Sequence, residues 1–246
     1  MDIEKFIEDA FKADRRVRYV GIVDNQYHVL ASKMRETVTP VSSDSTDRNF
    51  VQIMAPIIVE AIEKLQPFLG SLQAITARYE KVILVFYRME SYVVVFSFDT
   101  EAATPFMTRT IEAFLKLDKL SAFDADRFAE DSFKFDSRLG GVGVVDNENQ
   151  VLVSRTRETY TPTLPDHEAN VYLSLVPPMI LDTVERLQPF LGKLQVLVAR
   201  YDRRVLTFHR LRDMAVVWTF EGEIETPFMA KITDTFRKLS KQYLST

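Results

Sequence analysis

The sequence predicts an α+β protein built from two tandem αββαβββα units, each a five-stranded antiparallel sheet with helices on both faces. Three observations predict this fold. The stretch LQPFLGSLQAITARY at 65–79 returns as LQPFLGKLQVLVARY at 187–201, and the same offset aligns the two halves of the chain without a gap. Within each copy, helical and strand-like apolar patterns follow one another in the same order. The composition, with 46% hydrophobic and 27% charged residues, is typical of a globular protein.

The repeat also predicts the domain boundaries. The first domain spans 1–117, a short linker spans 118–122, and the second domain spans 123–246. About four positions in ten are identical between the copies, over a unit of ordinary domain size. Because the linker is too short to let two domains move independently, we expect the two repeats to pair within the chain.

Each unit is predicted to begin with a helix and a β-hairpin. Apolar residues recur at helical spacing over 3–11, and Asp2 stands at the N-cap position before them. Two β-rich runs, 17–23 and 29–34, then flank the turn sequence DN at 24–25. The same turn sequence recurs in the second copy, so a hairpin is expected in both.

A central helix and a three-stranded meander are predicted to follow. The helical pattern over 50–69 is interrupted by Pro56 and Pro67, so the helix must kink, begin late or end near these residues. The meander strands are expected at 72–79, 82–88 and 92–98. The last of these runs is apolar on both faces, which indicates a sheet that is covered on both sides.

Each unit has two clear helix boundary sequences, one after the central helix and one before the final helix. Gly70 and Gly192 follow the central helix, where glycine supplies a left-handed C-cap. Thr104 and Pro105 form an N-cap followed by proline at the first helical position, and the pair recurs at 226–227. A final helix is therefore expected in each copy.

Composition argues against several classes of function. The chain has no cysteine, which excludes disulfides, thiolate metal sites and cysteine nucleophiles. Its net charge is −4 and no basic run is longer than the arginine pairs at 15–16 and 203–204, so no nucleic-acid partner is expected. The N-terminal segment is acidic and amphipathic, and no apolar run is long enough for a membrane span. We therefore expect a cytoplasmic protein without a membrane partner.

No recognisable catalytic, cofactor or metal-binding set is present in the sequence. His28, His167 and His209 are scattered and have no second ligand at helical spacing. The glycines at 140–143 lack the remaining glycine of a dinucleotide loop and enter a strand. The expectation is a protein that is not an enzyme and that needs no cofactor.

Three motifs resemble a known family. They are RYVGIVD at 18–24, the charged loop RETVTP at 35–40, and LGSL at 69–72 before Arg78. Together with the αββαβββα order, they resemble the roadblock (dynein light chain type) family and its longin and profilin-like relatives, and most of all small archaeal roadblock-like proteins. The second copy departs from the pattern at its start, where Gly140 and Gly141 replace Arg18 and Tyr19.

The resemblance implies a non-enzymatic scaffold for protein interaction or regulation. Roadblock domains pair through sheets or central helices, and the paired platform binds small GTPases or other proteins. Duplication here would place both members of the pair in one chain. An alternative is a sensory domain that holds a small ligand between sheet and helix, which would need a pocket of roughly 300 Å³ or more.

Two groups of polar residues are the candidate partner-binding sites, because they survive the duplication. The candidate residues are Arg35, Glu36, Thr37, Arg157, Glu158, Thr159, Arg78 and Arg200. For each group a structural role is also open. The loop charges could pair with one another and set a turn before the helix, and the strand arginines could bridge two elements of their own domain.

Overall fold

The computed structural model describes residues 2–26, 28–40, 52, 54–89, 92–118, 124–162 and 164–221. The first copy contains α1 (Ile3–Ala13), β1 (Val17–Asp24), β2 (Val29–Met34), α2 (Ala55–Glu63), α3 (Gln66–Leu69), β3 (Leu72–Tyr79), β4 (Ile83–Met89), β5 (Tyr92–Phe98) and α4 (Pro105–Asp118). The second contains α5 (Ala125–Phe135), β6 (Leu139–Val145), β7 (Val151–Thr156), α6 (Asp166–Glu185), α7 (Gln188–Leu191), β8 (Leu194–Tyr201), β9 (Arg204–Leu211) and β10 (Met214–Glu221). The predicted α+β class is confirmed.

All ten strands belong to one antiparallel sheet, in the order β2-β1-β5-β4-β3-β8-β9-β10-β6-β7. The two five-stranded sheets predicted from the sequence are thus halves of a continuous sheet, joined where β3 pairs with β8. Thr76 lies opposite its repeat equivalent Val198 at this seam, as a pseudo-twofold axis requires. The pairing satisfies two strand edges that would otherwise leave backbone hydrogen-bonding groups open.

The repeated LQPFLG segments interlock the two halves at this seam. In the first half, the carbonyls of Leu69 and Ser71 accept hydrogen bonds from the amides of Arg203 and Asp202, in the β8–β9 turn of the second half. The reciprocal bonds run from Glu80 and Lys81 to the carbonyls of Lys193 and Leu191. The longest identity between the copies therefore forms their contact.

Two buried tyrosines strengthen the same contact. The Tyr79 hydroxyl donates to the Val184 carbonyl at 2.7 Å, and the Tyr201 hydroxyl donates to the Ile62 carbonyl at 2.7 Å. Each bond joins the end of a seam strand to the end of the central helix in the other half. Burial raises the pKa of both phenols, so they remain protonated donors.

Helices cover both faces of the sheet. On one face, α2 and α6 contact each other and share a single apolar core that runs across both halves. On the other face, α1 covers a core in the first half, and α5 covers a separate core in the second. Met107 of α4 belongs to the core beneath α5, so the last helix of the first copy packs on the second half.

Several local predictions are confirmed by hydrogen bonds and backbone angles. Asp2 accepts a bond from the Lys5 amide at 3.1 Å, and Thr104 accepts one from the Met107 amide at 3.2 Å, so both residues are N-caps. Gly70 and Gly192 close their helices with φ of 89° and 79°. The second Thr-Pro pair, at 226–227, lies outside the described residues.

The prolines act differently in the two central helices. Pro56 stands in the first turn of α2 and Pro67 in the first turn of α3, where a missing amide hydrogen costs nothing. In contrast, α6 continues through Pro177 and Pro178 for twenty residues. Some residues of these predictions lie outside the described part of the chain, namely 50, 51 and 53 of the predicted central helix and 119–122 of the predicted linker.

Among the described helices, none combines the length and the apolar character that a membrane span requires.

Candidate interaction surface

Eight large apolar side chains are exposed in the described part of the chain, and their positions follow the repeat. They are Leu30, Ile57, Phe68, Leu152, Val171, Leu175, Met179 and Phe190. Six of them form three equivalent pairs between the copies, namely Leu30 with Leu152, Ile57 with Met179 and Phe68 with Phe190. The equivalents of Val171 and Leu175 lie outside the described residues. Exposed apolar character has thus been retained at the same positions in both halves.

Four of these residues form a surface on the central helices, which we call the helix face: Ile57, Val171, Leu175 and Met179. The last three recur every fourth residue along α6 and therefore lie on one side of it. Leu175 is 62% exposed, the highest value of the eight. Ile57 lies on α2, which contacts α6 in the same outer layer.

The helix α6 is apolar on two sides. Its inner side packs on the sheet through Leu173, Pro177, Ile180, Leu181 and Val184, which are all buried. A helix at the surface of a globular protein usually has a polar outer side. Asp182 and Glu60 provide exposed carboxylates one turn after Met179 and Ile57. An apolar centre with a charged margin is the usual anatomy of a protein interface.

Sequence reasoning expected exposed apolar patches near the hairpin and central helix of an interaction module but did not identify the residues of the helix face. The predicted central helix has apolar residues on more than one side, and periodicity alone does not show which of these sides is exposed. The available signal was the pair Ile57 and Met179, which stays apolar while changing identity between the copies.

The candidate residues Arg35 and Arg157 occupy equivalent structural positions. The Arg35 guanidinium donates to the carbonyls of Val17 at 2.7 Å, Phe11 at 2.6 Å and Asp14 at 3.1 Å. The guanidinium carbon Cζ of Arg35 also lies over the Phe11 ring, 4.9 Å from the ring centroid. Each arginine thereby ties the end of the first helix of its copy to the following strand.

The Arg157 guanidinium repeats this arrangement in the second half. It donates to the carbonyls of Leu139 at 2.9 Å, Phe133 at 2.5 Å and Asp136 at 3.2 Å. The planar guanidinium group can donate these three hydrogen bonds at once, whereas the compact ammonium group of lysine cannot.

Replacing Arg157 with lysine is therefore expected to lower the free energy of unfolding by about 1 kcal/mol, because an ammonium group cannot reach all three carbonyls. Guanidinium denaturation measures the change. The control is Arg155→Lys in the preceding strand β7, because Arg155 pairs only with the exposed carboxylates of Asp126 and Glu130 in the described structure. Equal losses in the two variants would contradict the assignment.

The remaining candidates in these loops are exposed and far apart. Glu36, Thr37, Glu158 and Thr159 all face solvent. They follow β2 and β7, the two outer strands of the sheet, which are separated by the other eight strands. The two loops therefore cannot contact one small partner surface together.

The candidates Arg78 and Arg200 lie at the seam instead. Arg78 Nε donates to Gln195 Oε1 at 2.7 Å across the seam, and burial lowers the pKa of this arginine. Arg200 is buried opposite Ala74. The structure thus brings these two arginines to the contact between the halves and separates them from the loop candidates.

A cavity of about 110 Å³ lies in the second half, between the sheet and α6. Its sheet side includes Gly141, Gly143 and Thr219, and its helix side includes Tyr172 and Leu173. It is smaller than the roughly 300 Å³ expected of a pocket for a drug-sized ligand. Burial raises the pKa of Tyr172.

Within the described residues, no cluster of three or more histidine, aspartate or glutamate side chains could hold a metal ion.

No protein-family model matches the chain, and no curated protein matches it either.

Proposed function

We propose that the chain is a non-enzymatic protein-interaction scaffold of the cytoplasm, built as an internally duplicated roadblock-like module. A small GTPase is the partner class that the resemblance implies. The observation that carries the proposal is the helix face, where exposed apolar residues lie on the adjoining central helices of the two halves. Contiguous exposed apolar residues are typical of protein-binding sites.

The arrangement of the two halves supports this proposal. The continuous sheet and the reciprocal bonds of the LQPFLG segments place α2 and α6 side by side, so one partner can contact both copies. The matched exposure of Ile57 and Met179 gives that platform approximate twofold symmetry. The exposed loops that follow β2 and β7 lie at opposite edges of the sheet and lack such a shared surface.

The test is capture of a partner by the purified full-length chain. Wild-type protein immobilised on beads is expected to retain a small GTPase in stoichiometric amount from the native cell extract. Leu175→Asp is expected to reduce that recovery at least about tenfold, because it places a charge at the centre of an apolar contact. The proportion of GTPase retained is measured by quantitative mass spectrometry.

The matched control is Leu30→Asp, which changes an exposed leucine on the outer strand β2. This variant should retain wild-type recovery, and circular dichroism should show that both variants are folded. Absence of any stoichiometric partner, or equal recovery by the two variants, would count against the scaffold.

A further inference from the structure

The two copies differ at one position that leaves a space in the second half. Tyr19 in β1 corresponds to Gly141 in β6, and the register of the neighbouring strands is the same in both copies. Tyr19 pairs with Ser97 of the neighbouring strand β5, and Gly141 pairs with the equivalent residue Thr219 of β10. Gly141 therefore stands where the first copy has a phenol side chain.

The first half shows how that space is filled when tyrosine is present. The Tyr19 ring is only 6% exposed and belongs to the apolar core beneath the central helices. Its hydroxyl lies 3.0 Å from Ser32 Oγ. The serine equivalent in the second half is Ser154, which lines the cavity together with Gly141.

Of the three glycines in β6, only Gly141 has room for a side chain. A Cβ at Gly140 would lie 1.8 Å from the Tyr160 ring, and one at Gly143 would lie 2.5 Å from Leu173. A Cβ at Gly141 would instead make ordinary contacts, 3.4 Å and 3.5 Å from atoms of Thr219. A Cβ atom therefore fits at Gly141 and does not fit at the other two glycines without a shift of the neighbouring side chain.

The chemistry of the cavity wall matches that of the missing group. Apolar side chains line about half of it, including Leu65 and Leu69 from the first half and Leu206 and Val217 from the sheet, and polar groups line the rest. Hydroxyl groups stand on the sheet side, on Ser154, Thr156 and Thr219. The volume of about 110 Å³ is in the range of a single aromatic ring, since an apolar cavity of about 150 Å³ holds benzene.

We infer that this cavity is a binding site for a free single-ring phenol, whose ring takes the place of the missing tyrosine side chain and whose hydroxyl contacts Ser154. The site is independent of the proposed scaffold function, because none of the four residues of the helix face lines it. Ser154 and Thr156 are exposed on the outer strand β7, and this gives a ligand a route to the cavity.

The test uses the full-length protein and phenol itself as the probe. In a ¹H–¹⁵N NMR titration, phenol is expected to shift the amide signals of Gly141, Gly143, Ser154 and Thr219 saturably, with a dissociation constant on the order of a millimolar. Benzene should bind more weakly than phenol, and Ser154→Ala should remove that difference. Absence of a saturable response in the wild-type protein would overturn the inference.

Two variants at the glycine test the location. Gly141→Tyr restores the residue of the first copy and should weaken phenol binding at least about tenfold by filling the cavity. Gly141→Ala makes only ordinary contacts and is expected to weaken binding less, which keeps the test valid if the tyrosine variant does not fold. Unchanged phenol affinity in either folded variant would overturn the assignment.

The first copy provides a matched control. Tyr19→Gly should open the equivalent space, so that a folded variant binds two phenols where the wild type binds one. An unchanged stoichiometry would contradict the use of Tyr19 as the template. N-acetyltyrosinamide, which carries the same ring on a peptide backbone, is expected not to bind. If it binds as tightly as phenol, the ligand is a partner's tyrosine side chain and the inference of a free phenol is wrong.

Discussion

Replacing both Tyr79 and Tyr201 with phenylalanine is expected to lower the free energy of unfolding by about 3 kcal/mol. Each hydroxyl donates a buried 2.7 Å hydrogen bond to a carbonyl at the end of a central helix in the other half. Each single change should cost about 1.5 kcal/mol, because it removes a buried hydrogen bond between the two halves. Urea denaturation of the four proteins of a double-mutant cycle measures both the costs and their coupling.

The matched control is Tyr19→Phe, which removes a hydroxyl beneath the same layer of helices but within one half. That hydroxyl pairs with Ser32, whose side chain is partly accessible to water, so a loss of less than about 1 kcal/mol is expected. If the double variant is no less stable than this control, the tyrosine bonds do not hold the halves together.

The elements of each unit could be predicted because their signals are local. Thr104 followed by proline begins α4, and Gly70 ends α3 with a positive φ, as their residue types require. The hairpin and meander strands also follow directly from short apolar runs between turn sequences. Agreement between the two copies strengthened each of these assignments.

The continuous sheet could not be predicted in the same way. The pairing of β3 with β8 is made by backbone groups, which every residue has, so it leaves no characteristic side-chain pattern. The packing of Met107 on the second half is likewise a contact between separate elements that apolar spacing alone does not define. Sequence periodicity indicates which side of an element is buried but not which element covers it.

The candidate residues show the same limit for single side chains: the sequence indicates that a residue matters but not what it contacts. The retention of Arg35 and Arg157 indicated importance, and the structure shows both guanidinium groups on backbone carbonyls. Nothing in an arginine's sequence position distinguishes a bond to its own backbone from a bond to a partner. The replacement of Tyr19 by Gly141 was visible in the sequence, but the resulting space depends on which neighbours fill it.

Acidification from pH 7.5 to 4.5 is expected to lower the free energy of unfolding by about 2.5 kcal/mol through His209 alone. The imidazole is buried against Trp218, with ring centroids 5.2 Å apart, and its Nε2 lies 3.2 Å from Thr207 Oγ1. Burial lowers the pKa of His209 to about 3 in the folded protein. The folded state therefore keeps this histidine neutral at pH values where an unfolded chain, with a histidine pKa of about 6.5, binds a proton.

The sign and the pH range follow from these two pKa values. As the pH falls below about 6.5, protonation stabilises only the unfolded chain, and the loss of stability continues until the folded-state pKa is reached. Carboxylates act at lower pH. Hydrogen bonds lower the pKa of Asp24, Asp131 and Asp136 from an ordinary value of 3.8, so their contribution is lost only below about pH 4.

Comparison of variants between pH 7.5 and 4.5 isolates the contribution of His209. His209→Gln removes the titrating group while retaining a polar side chain, so its stability should vary with pH by about 2.5 kcal/mol less than that of the wild type. His28→Gln, at an exposed histidine, is expected to keep the acid sensitivity that His209 produces. The measurement is guanidinium denaturation at a series of pH values. Parallel pH profiles for the wild type and His209→Gln would show that the buried imidazole does not control the response, whereas a flattened profile in that variant alone would assign the acid sensitivity to this position.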